Sequence, residues 1–185
     1  LLLERAGKGR WGWKDPRTCL FLDLWRKMAP DARFVMVFRN PFAVVDSLYR
    51  REHDEAKLHW RARSQWLQGW LVYTKACIDF AAKYPESCFI FALEDLTRES
   101  SVVPEDLSQF LNVSLDDESF KKAFKPSELA DAPSLWKEMG HLPQHLSLKA
   151  YLYYRHLYRM HGAILRVRDV SFKHSPWFEG WLVCI

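Results

Sequence analysis

Arg39 and Ser47 carry the clearest chemistry in this sequence. Arg39 closes a short apolar run, Arg33-Phe-Val-Met-Val-Phe38, that is rich in β-branched and aromatic residues. Such a run reads as a strand buried on both faces of a parallel sheet. Pro41 follows Asn40 and opens a helical stretch to about Arg51, and proline suits the first turn of a helix. Ligands of open α/β sheets bind beyond the carboxyl ends of the strands, which is where Arg39 stands. The free N–H groups and the dipole at the start of the next helix favour an anion there. Arg39 adds a planar, permanently charged fork suited to phosphate oxygens. Ser47 lies eight residues on, about two turns into the helix, and offers a hydroxyl. The competing reading makes Arg39 a surface ion-pair partner and Ser47 an ordinary helix residue.

The elements around this pair alternate. Leu1 to Trp13 holds Gly7, Gly9 and Gly12 and reads as a loop. Pro16 to Met28 reads as a helix, with Leu20, Leu24 and Met28 on one face joined by Phe21. Lys14-Asp15 stands at its entrance. His53 to Lys83 is a long helical stretch whose Trp66, Trp70, Tyr73 and Cys77 form a stripe; a core face accounts for it. Ser87 to Leu93 reads as a second buried strand, and Pro104 to Leu111 as a short helix. Residues 112–146, with Pro126, Pro133, Pro143 and Gly140, read as loop-rich, and Leu148 to Leu165 as a final helix. Strands alternating with helices predict a parallel sheet with helices on its faces, in one domain spanning residues 1–185.

Composition narrows the function classes. The chain has 185 residues, 49% hydrophobic and 27% charged, with a net charge of +4. That is a globular composition, and the mild positive charge is compatible with a small anionic ligand. There is no Lys/Arg block and no basic-aromatic interleaving, so nucleic acid is not an expected partner. The longest unbroken apolar runs are about five residues, where a membrane span needs about twenty. Cys19, Cys77, Cys88 and Cys184 form no CxxC pair; four free thiols are expected, with no zinc or redox motif, which leans toward the cytoplasm. Asn112-Val113-Ser114 matches a glycosylation sequon, which matters only in a secreted protein.

The segment Ala32-Arg-Phe-Val-Met-Val-Phe-Arg-Asn-Pro-Phe-Ala-Val-Val-Asp-Ser-Leu48 closely resembles the 3′-phosphate-binding segment of sulfotransferases that use 3′-phosphoadenosine 5′-phosphosulfate. The resemblance implies that Arg39 and Ser47 hold the 3′-phosphate of that co-substrate. Gly12-Trp-Lys-Asp-Pro-Arg17 looks like the Lys-Asp-Pro segment of tyrosylprotein-type and related bacterial members. It implies that Lys14 points at the transferring sulfuryl group, where a fixed ammonium would stabilise the developing charge. The competing reading leaves Lys14 a solvated helix-entry residue. Arg17 is a further candidate for the co-substrate site. Phe89-Ile-Phe-Ala-Leu-Glu-Asp-Leu96 is similar to a bracing stretch of the same enzymes, in which Glu94 and Asp95 cap or brace. The similarity runs from about Trp11 to Leu111 and implies a three-layer, P-loop-like α/β fold with a short parallel sheet.

Two parts of the family pattern are missing. The Gly- and Ser/Thr-containing loop that grips the 5′-phosphosulfate is not found, and Gly7-Lys-Gly-Arg10 does not match it. The expectation is an N-terminal truncation that removed the first strand and its loop. No base is assignable either: His53, His59, His141, His145, His156, His161 and His174 sit in no matching motif. The leading expectation is sulfuryl transfer to a hydroxyl or similar acceptor, on a small molecule, glycan or peptide, without a metal. The alternatives are a degenerate nucleotide-binding module without catalysis and a P-loop nucleotide kinase. A kinase should show GxxxxGK[ST] and Mg²⁺ ligands, and neither is found.

Overall fold

A computed structural model describes residues 11–52, 60–97, 101–114, 142–164 and 180–184. Among these residues four strands form one sheet, parallel at every described pairing: β1 (Trp11–Lys14), β2 (Arg33–Phe38), β3 (Cys88–Ala92) and β4 (Gly180–Cys184), in the order β1-β4-β2-β3. Among the described residues, five α-helices accompany them: α1 (Leu22–Met28), α2 (Pro41–Glu52), α3 (Trp60–Lys83), α4 (Val103–Leu111) and α5 (Gln144–Ile164). Short 3₁₀ segments span Pro16–Phe21, Pro85–Ser87 and Leu93–Thr97.

The alternation of side chains along β2 and β3 builds the layers. Phe34, Met36 and Phe38, with Cys88, Ile90 and Ala92, join Leu22, Phe80, Ala81 and Leu157 of α1, α3 and α5. The intervening Val35, Phe89 and Phe91 join Val103 and Leu111 of α4. Helices thus cover both faces, as a parallel sheet requires, and the three-layer α/β expectation holds. A third cluster, with Phe42, Val45, Leu67, Leu71, Leu146 and Ala150, locks α2, α3 and α5 together. α3 turns Leu67, Leu71, Thr74, Cys77 and Ala81 inward at helical spacing. Trp66, Trp70 and Tyr73 are half-buried beside that face, against neighbouring clusters.

Three readings of the sequence change. Trp11–Lys14 is a strand, not a loop; its half-buried and exposed positions alternate, and it pairs with residues far along the chain. Trp13 Nε1 donates to Thr18 Oγ1 at 3.1 Å, tying β1 to the segment after it. The Leu20, Leu24, Met28 stripe with Phe21 is exposed, at 44–55%. The chain starts there as a 3₁₀ segment, with three residues per turn rather than 3.6. The inward residues are therefore Cys19, Leu22 and the half-buried Trp25, three apart. The last helix, α5, starts at Gln144 rather than Leu148; along it Leu148 and Leu152 are exposed, while Leu146, Ala150 and Leu157 are buried. The last strand, β4, lies in the part of the sequence that offered no reading. The Gly-rich start, residues 53–59, most of the loop-rich stretch, and five of the seven histidine side chains lie outside the described residues. His145 and His156 are exposed on α5.

Candidate functional site

β2 ends at Phe38, and Arg39 and Asn40 form the turn into α2. Asn40 is 5% exposed, and its Oδ1 accepts from Phe42 N at 3.0 Å and from Ala43 N at 3.4 Å. Asparagine followed by proline is a favoured start of a helix, one capping and the other lacking an N–H. The cap changes the anion argument. Asn40 N–H donates to Glu94 Oε1 at 3.1 Å, Pro41 has no N–H, and the next two N–H groups bond Asn40 itself. The backbone donors of the first turn are already used, so an anion here would have to be met by side chains.

Arg39 is partly buried, with Nε 3.8 Å from Glu94 Oε1. That is an ion pair rather than a close hydrogen bond. Ser47 is half-buried on α2, about 9 Å along the helix axis from Pro41 at 1.5 Å per residue. Its neighbour Asp46 pairs with Arg63 of α3 at 2.5 Å, and the Arg63 guanidinium lies 5.8 Å from the centre of the Tyr49 ring. These contacts, on either side of Ser47, fix α2 against α3.

Lys14 is the last residue of β1 and is exposed. It lies level with Val183 of β4, and Val183 with Val35 of β2. Lys14 and Arg39 therefore stand toward the same edge of the sheet, on the two strands flanking β4. Two strand spacings and four residues of rise separate their backbones by roughly 16 Å. Arg17 is 76% exposed, and its fork closes on its neighbour Asp15: Nε to Oδ1 at 3.0 Å and Nη2 to Oδ2 at 2.6 Å. Asp15 Oδ1 also accepts Arg17 N–H at 2.8 Å, capping the 3₁₀ segment. The side-chain bonds from Arg17, then its backbone N–H, hold the Asp15 carboxyl down from its usual 3.8 to about 2.

α5 walls the far side. The rings of Tyr154 and Tyr158 meet Phe38 edge-on at 5.8 and 5.1 Å, and the Tyr154 hydroxyl donates to that of Tyr158 at 3.3 Å. Burial raises the Tyr154 phenol first, then its bond to Tyr158 and the charges of Glu94 and Asp95, so it stays a neutral donor. The tyrosines, Glu94 as a partner of Arg39, and the Asn40 cap escaped assignment to the site. The Asn-Pro pair signals the cap, whereas the others depend on contacts between distant segments. Among the described residues, no three His, Cys, Asp or Glu side chains gather as a metal site would need.

A model of the sulfotransferase family matches residues 2–117, a span that takes in Lys14, Arg39, Ser47 and Glu94. No curated protein and no solved structure matches the chain. With that pattern over more than half its length, and with a parallel sheet covered by helices on both faces, this chain belongs to the sulfotransferase family.

Proposed function

We propose that the chain binds 3′-phosphoadenosine 5′-phosphosulfate across the carboxyl edge of its sheet and transfers the sulfuryl group to an acceptor hydroxyl. The observation that carries the reading is the pair of cations toward that edge, Lys14 as the last residue of β1 and Arg39 directly after β2, with β4 between the two strands. A separation of roughly 16 Å is too wide for a single anion. It suits a ligand with anionic groups at two distant points, once two long side chains lean inward. In this reading Arg39 and Ser47 take the 3′-phosphate, and Lys14 faces the phosphosulfate.

The acceptor oxygen attacks sulfur in line, the new O–S bond forms, and the S–O bond to the 5′-phosphate breaks. The electron pair of that bond stays on the phosphate, whose growing charge Lys14 offsets. The acceptor proton leaves to a base that no described residue is assigned to supply. Positioning and charge stabilisation then account for most of the rate, as in phosphoryl transfer.

The test is calorimetric titration with 3′-phosphoadenosine 5′-phosphate, with 5′-AMP as control. The 3′-phosphate should tighten binding of the native chain, and Arg39→Ala should weaken it by about 10- to 100-fold, the worth of a charged hydrogen bond. Lys14→Ala should keep that preference and lower turnover by about 100-fold. Equal binding of both nucleotides by the native chain would sink the reading.

A further inference from the structure

We propose that Glu94 is a positioning residue, one that sets the guanidinium of Arg39 and the β2–α2 turn in the orientation that meets a phosphate. The proposal rests on the reading of Arg39 given above. Glu94 lies in the 3₁₀ segment directly after β3, the strand beside β2. A single oxygen, Oε1, serves two groups of the neighbouring turn: it lies 3.8 Å from Arg39 Nε and accepts Asn40 N–H at 3.1 Å. One atom thereby fixes the side chain that would carry the charge and also the backbone that leads into α2.

An ordinary surface pair joins two side chains in water and contributes little. This pair differs in two respects. The side chains are only 16% and 26% exposed, so salt screens them less. The carboxylate is also anchored by a backbone N–H, so its position does not depend on the arginine. A guanidinium is planar and rigid; holding its Nε edge turns the opposite edge away from Glu94. On the other side of Arg39, the preceding residue Phe38 is clamped by the rings of Tyr154 and Tyr158. The arginine is thus set from both sides, by aromatic packing before it and by a carboxylate at its own level.

Glu94 also carries a negative charge, which would repel a phosphate. That repulsion falls with distance, and a phosphate on the far edge of the guanidinium is kept at a distance by the whole group. Losing the orientation should therefore outweigh losing the repulsion.

The readout is the ratio of the dissociation constants of 5′-AMP and 3′-phosphoadenosine 5′-phosphate, measured by calorimetry on the full chain. A merely structural role would shift both constants and leave the ratio. Glu94→Ala is expected to lower the ratio about tenfold, and to lower it no further when Arg39→Ala is already present, the mark of two residues acting as one. Glu94→Gln keeps an acceptor for Asn40 N–H and loses the ion pair; it is expected to lower the ratio about threefold, and it decides the matter if the alanine variant does not fold. An unchanged or increased ratio in the glutamate variants, while Arg39→Ala abolishes the preference, would overturn the proposal and leave the reading of Arg39 standing. If Arg39→Ala itself leaves the ratio unchanged, the reading of Arg39 fails and this proposal with it.

Discussion

Single residues in this protein act through their immediate neighbours more than through their type. Asp15 sits among the residues that first draw attention, yet its carboxylate is spent on Arg17, both side chain and backbone. Its folded pKa of about 2 lies below the ordinary 3.8. The contribution to stability is therefore present above about pH 4 and fades as pH falls toward 2. Thermal melts of the native chain and Asp15→Asn should differ at pH 6 and converge near pH 2; a constant difference across that range would show that the bond to Arg17 does not stabilise the fold. Arg39 could be located from the sequence because strand, arginine and proline follow one another directly. The carboxylate beside it could not, since Glu94 arrives from a segment 54 residues away.

At the scale of elements, legibility followed locality. β2, β3, α2 and α4 were readable because continuous apolar runs, prolines and helical spacing are written within each segment. β1 was not: four residues with a glycine carry too little pattern, and its partner lies at the other end of the chain. The stripe Leu20, Leu24, Met28 followed the α-helical period, but a 3₁₀ start rotated the inward face by changing the residues per turn. Propensity still has a measurable effect where packing is silent. Gly69 lies in the middle of α3, and a Cβ there would meet nothing within 4 Å. Gly69→Ala should stabilise the chain by about 0.5–1 kcal/mol, the helical cost of glycine. Chemical denaturation should show a higher midpoint with the same slope; a lower midpoint would mean that α3 is more crowded at this position than its geometry indicates.

At the scale of the whole molecule, the position of β4 matters most. It pairs with β1 on one side and with β2 on the other, so the sheet has no continuous hydrogen bonding without it. Ending the chain after Glu179 is expected to abolish the cooperative thermal transition seen by circular dichroism, because β1 would lose its partner and β2 one of its two. A chain that still melted sharply at an unchanged temperature would show that β4 contributes nothing to the fold.

The same arrangement bears on the order in which the protein is built. Trp11 meets Gly180, so the β1–β4 ladder joins residues separated by nearly the full length of the chain. Loops of that size are slow to close, and folds dominated by such pairings fold slowly. During synthesis β1 and β2 emerge long before β4, and each keeps an open strand edge until it arrives. Open edges invite pairing with other chains. The interval before the last strand docks is thus the period in which this protein is most exposed to misassembly.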